Sequence, residues 1–464
     1  MNGTTKLRPV LTISLLSLAG TAIPQSVPEP LRDGGQRFAG VVTQAFEADS
    51  NFALDPDDDD PSLFATTTLG LGYFTDTRTQ SFSVISDIEL RGIKRSDDDA
   101  VALVTLPSLD IGYDRIGSAS SFGIEAGFRE TSLLARRTPE AGFTDSGFVV
   151  PGDLTPEEGS GRRQDYDAGV AFTFGEGGPI EGSFALDYDR TLYIGANDDL
   201  NDVFAVAATG GLDFRINPVI TGVLESGASY TEVDSAEGEE RRAANFRAGI
   251  EYDVSERLML TSGVGYIFDE QIRGDTTERL EGPLFDVGFE LGFQRSTLGA
   301  AAAVVIPDEG SLVFLGGIGY EHEWRTGGAA AEFALESRET GDTVGTATVS
   351  ISQDLGRGDL RFNLSRSLET SREGDDTIIS AFGLGYFQPV SNRINFGAEV
   401  AGAVSENLDV EGDDRTQFRL SVGAEYLLTE RASISARYSH RRESIEDSAS
   451  GHSLRIALEV PFGG

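Results

Sequence analysis

The chain has 464 residues and a formal net charge of −39, from 76 acidic and 37 basic residues, and it contains no cysteine. This acidity excludes nucleic acid as a partner, because binding phosphates requires a basic surface. The lack of cysteine excludes disulfides, thiolate nucleophiles and cysteine-ligated metals. Acidic chains are often disordered, but 28 phenylalanines and 12 tyrosines recur along this one and favour a folded protein.

The first residues have the layout of a secretory signal peptide. Lys6 and Arg8 precede a short apolar segment, residues 10–20, and Gly20-Thr21-Ala22 supplies small residues for cleavage. The apolar segment is too short for a membrane-spanning helix, and no other stretch approaches the roughly 20 apolar residues that such a helix needs. We therefore predict a cleaved signal peptide at residues 1–22, followed by a short leader at 23–35.

From residue 36 to the C-terminus, segments of about ten residues alternate apolar with polar or small side chains, as β-strands do. In residues 258–268, for example, leucine, valine and aromatic side chains share one face, while threonine and glycine share the other. The pattern predicts about 22 strands, and any even number from about 16 to 22 is acceptable. The predicted strands lie near residues 37–47, 64–74, 80–92, 101–113, 121–135, 164–175, 179–193, 202–215, 219–231, 243–254, 257–271, 284–294, 297–306, 311–324, 328–338, 344–354, 359–369, 376–387, 391–404, 415–428, 432–442 and 452–462.

The predicted connections alternate between short turns and long polar links. Short turns include Ser255-Glu256-Arg257 and Thr429-Glu430-Arg431, whereas residues 54–62, 137–163 and 273–282 are longer and mostly acidic or polar. This alternation is typical of an up-and-down antiparallel meander, in which each strand is joined to its neighbour.

A meander with one apolar and one polar face fits a soluble sandwich, an adhesin array or a membrane barrel. A solenoid would show a fixed period, which the chain lacks. The barrel accounts for the signal peptide, the even strand number and the loop alternation together. The predicted fold is therefore all-β, an antiparallel up-and-down transmembrane β-barrel over residues 36–464. The short turns and both termini are then expected to be periplasmic.

On these features the sequence resembles bacterial outer-membrane β-barrel proteins of the porin type. The resemblance rests on the signal, on a tyrosine before a turn and a strand at Tyr252, Tyr386 and Tyr426, and on the amphipathic last strand. It implies location in the bacterial outer membrane. It also implies that the barrel-insertion machinery recognises the last strand. The insertion signal would consist of Leu454, Ile456, Leu458, Val460 and Phe462. In that class the aromatic is usually the last residue, whereas Gly463 and Gly464 follow it here. The resemblance is architectural and carries no substrate.

Plugged TonB-dependent transporters also have 22 strands. That family's pattern implies a globular plug before the barrel, whereas strands begin within about 15 residues of the expected cleavage site here. We therefore predict a porin-like passive channel for small hydrophilic solutes. The alternative is a non-conducting or export barrel with a surface-structural, adhesive or polysaccharide-passage role. The longest link, residues 137–163, distinguishes them: its loss should alter conductance if it folds inward, and only surface binding if it does not.

Charged side chains on the polar face are expected to line the lumen and to shape ion selectivity. The alternative is that any water-filled or self-paired lumen tolerates polar residues. The basic members cluster toward the C-terminal strands, which predicts a transverse field, and the overall acidity favours cations. The predicted lumen-facing charges are Glu181, Asp187, Asp189, Glu225, Arg361, Arg393, Glu399, Arg419, Glu425, Arg437, Arg455 and Glu459.

Other chemistry is weakly indicated. The acidic run Asp57, Asp58, Asp59 and Asp60 is a weak calcium candidate, but it lacks the spaced ligands of a calcium loop, and a solvated outer loop is favoured. Such loops could hold divalent cations that bridge to anionic surface lipid.

We predict no enzyme and no cofactor, because the three histidines, His322, His440 and His452, show no nucleophile spacing. Glu321 and Glu323 around His322 are expected to decorate the membrane interface. The expected partners are outer-membrane lipid and the insertion machinery. A homo-oligomer fits the class, although no sequence feature marks a subunit interface.

Overall fold

The computed structural model describes residues 35–52, 54, 61–95, 102–135, 140–144, 147–151, 161–196, 200–234, 238–307, 312–337, 343–370, 376–408, 414–444 and 448–463. Within these ranges the chain is almost entirely strand. The strands are β1 (Gly35–Asp49), β2 (Ser62–Asp76), β3 (Gln80–Arg95), β4 (Ala102–Ile116), β5 (Ser120–Ser132), β6 (Gly142–Thr144), β7 (Gly147–Val149), β8 (Arg162–Phe174), β9 (Ile180–Ile194), β10 (Asp202–Asn217), β11 (Ile220–Asp234), β12 (Glu239–Asp253), β13 (Leu258–Arg273), β14 (Thr276–Gly292), β15 (Ser296–Val305), β16 (Val313–Trp324), β17 (Gly327–Ser337), β18 (Thr343–Asp354), β19 (Asp359–Thr370), β20 (Asp376–Ser391), β21 (Ile394–Asn407), β22 (Arg415–Leu427), β23 (Ser433–Ser444) and β24 (Ser448–Gly463).

Twenty-two of these strands form one closed antiparallel barrel, and β6 and β7 form a separate small hairpin. Each barrel strand pairs with the next one along the chain, and β5 pairs with β8. Closure is made by β1 and β24, which pair from Ala39↔Gly463 to Asp49↔Ser453. A closed sheet leaves no edge with unpaired backbone groups, as a membrane-spanning sheet requires. The predicted fold and strand number are confirmed.

The predicted long link at residues 273–282 is wrong, because β14 already begins at Thr276. The chain turns between Arg273 and Thr276, which are paired across the hairpin. Alternation continues through this stretch, with Leu280 packed beside a buried cluster and Arg279 exposed on the other face. The stretch is polar because both hairpin strands extend to the rim of the barrel, and this polarity resembles that of a loop.

The barrel has two unlike rims. We call the rim with the tight connections the short-turn rim, and Gly35 and Gly463 lie there. The opposite rim is the long-loop rim. Aromatic side chains face outward near the short-turn rim, including the edge-on pairs Tyr73–Phe82 and Tyr113–Phe122, each with ring centroids 6.4 Å apart. Such outward aromatics form the interfacial girdle of membrane barrels.

The recurring tyrosine-turn-strand phrase has a local cause. In the turn after β12, the Ser255 hydroxyl oxygen accepts from the Leu258 backbone N–H at 3.1 Å. In the turn after β22, Thr429 accepts from the Ala432 N–H at 2.9 Å. A serine or threonine at the first position thus closes each turn with its own side chain.

The residues of the predicted insertion signal lie on the outer face of β24, and Leu454 and Phe462 at its two ends are 50% and 39% exposed. Recognition of this strand by insertion machinery stays a prediction. In the described part of the chain, helix is limited to a 3-10 turn at Leu133–Ala135, and no helix is long and apolar enough to cross a membrane.

Candidate functional site in the barrel lumen

The described residues of the longest connection, 140–144 and 147–151, lie against the inner wall of the barrel. We call residues 140–144 and 147–151, which include β6 and β7, the inner hairpin. The Phe143 backbone N–H donates to Glu399 Oε1 of β21 at 2.8 Å. The Phe143 and Phe148 rings are 5.0 Å apart and lie over Gly383 and Gly385 of β20. A Cβ at Gly383 would overlap the Phe148 ring, so the hairpin can pack this closely against β20 only because residue 383 is glycine.

An apolar cluster completes this contact. Ala141 is buried against Ile379 and Ala381 of β20 and Ala403 of β21, with Phe148 and Val150 packed beside them. These wall residues occupy the inward positions of their strands, where most of the lumen is polar. The local apolar patch therefore matches the one segment that covers it, which stabilises the docked position through burial.

Ion pairs anchor the start of the inner hairpin. Glu140 lies 3.4 Å from Arg419 of β22 and 3.5 Å from Arg441 of β23. Both arginines also hold shorter pairs, Arg419 with Glu399 at 2.8 Å and Arg441 with Asp49 at 2.7 Å. The Arg441 and Asp49 side chains are 3% and 0% exposed, so this pair is fully removed from solvent.

A second stretch, residues 50–52 and 54 after β1, also lies against the inner wall. Arg441 donates to the Asn51 carbonyl oxygen at 3.3 Å. The Phe52 ring is 4.6 Å from that of Phe64, in a buried cluster with Ile93. Arg441 therefore contacts both inward segments, and it ties them to one region of the wall. We call the inner face of β20–β23, with these contacts, the docked wall.

The inner face of β4, β5, β8 and β9 is different, and we call it the acidic wall. Asp167 and Asp189 are direct cross-strand neighbours, and Glu125 and Asp187 flank Gly169 on its two sides. Gly169 leaves room for the Glu125 carboxylate, as Gly127 does for Asp167. Glu125, Asp167 and Asp187 are exposed although they point into the barrel. Water therefore reaches this wall inside the lumen.

The predicted lumen charges are distributed over both walls and between them. Eleven of the twelve lie on strands, at positions that alternate with the exposed apolar residues of the outer face. Arg361 lies 5.4 Å over the Phe387 ring, which in turn contacts Phe143 of the inner hairpin. Glu425 accepts from Asn395, and Arg437 faces Arg455 across β23 and β24.

Three further members of that set lie away from the docked wall. Glu181 is 3.6 Å from Arg215 near the short-turn rim, and Glu225 is 3.0 Å from Arg247. Glu459 is the inward residue opposite Ser433 of β23.

Arg393 is the exception. It lies in the turn before Ile394, exposed at the short-turn rim, so its placement on the strand wall is wrong. The turn between β20 and β21 is closed by the Ser391 hydroxyl, which accepts from the Arg393 N–H, so β21 begins at Ile394 and not at the predicted residue 391. The part that the other eleven play in conduction stays a prediction.

Sequence reasoning missed the residues that anchor the inward segments, namely Asp49, Glu140 and Arg441. Arg441 shares the inward face of β23 with Arg437, so strand alternation alone could have found it. Nothing in the sequence around Glu140 distinguishes an inward loop from a solvated one. The Arg247 guanidinium was also missed; it bridges Glu225 at 3.0 Å and Asp286 at 2.7 Å across three strands.

The candidates for other chemistry are not supported by the described residues. Asp57 to Asp60 lie outside those residues, and within them no three acidic or histidine side chains are grouped to hold a metal ion. Ser296 and His322 are 2.7 Å apart on the outer face.

Glu321 and Glu323 occupy the alternate, inward positions of β16, so neither can orient the His322 ring from the same side of the sheet. Their expected place at the membrane interface is therefore wrong. The outward position belongs instead to His322, whose ring centroid is 5.8 Å from that of Trp324.

No protein-family model and no curated protein matches the chain. Solved structures do match its fold. The ferric enterobactin receptor of Pseudomonas aeruginosa in complex with BCV-L6 is 12% identical with a TM-score of 0.54, over 92% of this chain and 82% of the receptor. The FrpB iron transporter of Neisseria meningitidis in its apoprotein form is 9% identical with a TM-score of 0.58, over 92% of this chain and 81% of the transporter. At such identities the likeness shows the fold alone, that of a bacterial outer-membrane β-barrel.

Proposed function

We propose that this barrel is a porin-like channel of the outer membrane for small hydrophilic solutes, with a preference for cations. The observation that carries the proposal is the unequal exposure of the two lumen walls. On the acidic wall, inward carboxylates such as Asp167 and Asp187 are exposed, whereas on the docked wall Arg441 and Glu399 are buried. A solute path through the lumen would therefore follow the acidic wall.

The inner hairpin gives this path its width and its charge. It covers Arg419 and Arg441 of the docked wall, and its Glu140 adds a carboxylate beside both. These two arginines are thus screened by protein, whereas carboxylates of the acidic wall such as Asp167 and Asp187 face water. Rings and walls of one charge sign set ion selectivity in pores.

The first test is the single-channel conductance of residues 23–464, refolded and inserted into a planar bilayer. We expect stable ohmic steps and a cation-selective reversal potential in a salt gradient. A barrel that is folded, as judged by heat-modifiable migration, yet never conducts would overturn the channel proposal. That result would favour a structural, adhesive or export role for the same fold.

A further inference from the structure

Charged side chains on the outer face of the barrel are concentrated at the long-loop rim. Near the short-turn rim the outward strand positions are mostly apolar or aromatic. At the long-loop rim, four outward arginines hold outward carboxylates: Arg162–Glu130 at 3.2 Å, Arg242–Glu240 at 2.6 Å, Arg279–Glu281 at 2.5 Å and Arg366–Glu406 at 3.4 Å. Each of these arginines is thus neutralised within the protein.

The outer face of β22–β24 has no such pair among its described residues. It carries Arg442, His440 and His452, and no carboxylate occupies an outward position on the described residues of these three strands. Glu446 and Asp447 of the intervening turn lie outside the described residues. Hydroxyl side chains surround these three residues, and they are Thr416, Ser444, Ser448 and Ser450. In a chain with a net charge of −39, an outward patch of this composition calls for an explanation.

The two histidines are held in place by their neighbours. His440 and His452 face each other across β23 and β24, and their rings stack at 4.6 Å. The Tyr438 hydroxyl is 2.7 Å from Nδ1 of His452, and the His452 backbone N–H donates to the Ser50 hydroxyl at 2.8 Å. Nδ1 of His440 is buried with no hydrogen-bond partner among the described residues.

The depth of the patch follows from strand geometry. His452 lies ten positions from Phe462, and the outward residues between them are the apolar Leu454, Ile456, Leu458 and Val460. At about 3.3 Å per residue and a tilt of about 40°, ten residues rise about 25 Å, which is the height of the apolar band of a membrane barrel. His452 and its neighbours therefore lie where the acyl chains end and the lipid headgroups begin.

We propose that Arg442, His440 and His452 form a binding site for the phosphate-bearing headgroup of an outer-leaflet lipid. Arginine and imidazole N–H groups are strong donors to phosphate oxygens, and charge-assisted hydrogen bonds of this kind are the strongest in proteins. The apolar residues below the site would hold the acyl chains of the same lipid. The site is independent of conduction, because it lies on the outside of the wall.

The test uses phosphatidic acid as the probe, in phosphatidylcholine nanodiscs that contain the refolded chain. Lipids that stay bound are counted by native mass spectrometry after release from the disc. The variant Arg442→Gln/His440→Gln/His452→Gln should retain at least about tenfold less phosphatidic acid, since each lost charge-assisted bond is worth about 1.5–3 kcal/mol. The matched control Arg366→Gln removes an outward arginine that already has a carboxylate, and it should retain the lipid as the parent does.

Three results would overturn the site: equal retention by the triple variant, equal loss in the control, or release of the lipid by a chelator of divalent cations, which would indicate a metal bridge. If the triple variant does not show heat-modifiable folding, Arg442→Gln alone replaces it, with the same expected direction.

Discussion

The docked wall and the acidic wall belong to one sheet and follow the same alternation of inward and outward side chains. They differ in how their inward charged side chains are stabilised. On the docked wall, the arginines beneath the inward segments are matched by carboxylates, as in the buried pair Arg441–Asp49 and the pair Arg419–Glu399. On the acidic wall, carboxylates such as Asp167 and Asp187 are exposed to water inside the lumen. Burial of a charge requires a partner, whereas exposure to water makes a partner unnecessary. The comparison therefore identifies which side of the lumen is wet.

The largest effect should come from removal of the inner hairpin. Replacement of residues 140–151 by a flexible glycine-serine linker uncovers the docked wall and widens the path. We expect conductance to rise by about twofold or more, because a barrel of this size otherwise encloses an aqueous lumen. Cation selectivity should fall as Arg419 and Arg441 become exposed to permeating ions. Unchanged conductance and selectivity would show that the hairpin does not border the path.

The next effect concerns stability and tests the burial of the docked wall. Arg441→Met leaves Asp49 buried without its partner, which costs about 3–5 kcal/mol. We expect the urea midpoint of unfolding in lipid vesicles to fall, and the added change Asp49→Asn to restore much of it. Arg366→Gln serves as the control, since that arginine is 39% exposed and its pair contributes little. An equal fall in both single variants would contradict the distinction between buried and exposed pairs.

Neutralisation of the acidic wall should change selectivity without changing the fold. The variant Asp167→Asn/Asp187→Asn/Asp189→Asn removes charge where the proposed path runs. A unit charge about 4 Å away attracts a monovalent cation by about 1 kcal/mol in water, so cation preference should drop severalfold. The measurement is the reversal potential in a potassium chloride gradient.

Glu425→Gln is the matched control, because it removes one inward carboxylate near the short-turn rim of the docked wall. Its effect on the reversal potential should be smaller than that of the triple variant. A larger effect would place the path on the other side of the lumen.

Much of this architecture could be predicted from alternation alone, and the reasons for the failures are physical. The side-chain period of two fixes which face of a strand is apolar, so 22 strands and their inward residues follow from the sequence. The prediction of a long link at residues 273–282 was wrong because strands that extend beyond the apolar band become polar on both faces. The inner hairpin could not be predicted, because its docking depends on Gly383 and Arg441, which are far from it in sequence.

The smallest and sharpest test of the comparison is a single added side chain on the docked wall. Gly383→Val places a Cβ where the Phe148 ring lies, so the inner hairpin must shift while the strand, which favours β-branched residues, keeps its pairing. We expect a modest rise in conductance and more frequent transitions between levels. The matched control is Gly319→Val, an inward glycine of β16 whose added Cβ meets nothing closer than 4.0 Å. It adds the same volume to the lumen without touching the hairpin, so it should leave conductance unchanged or slightly lower. If both variants behave alike, the contact between Phe148 and Gly383 does not hold the hairpin on the wall.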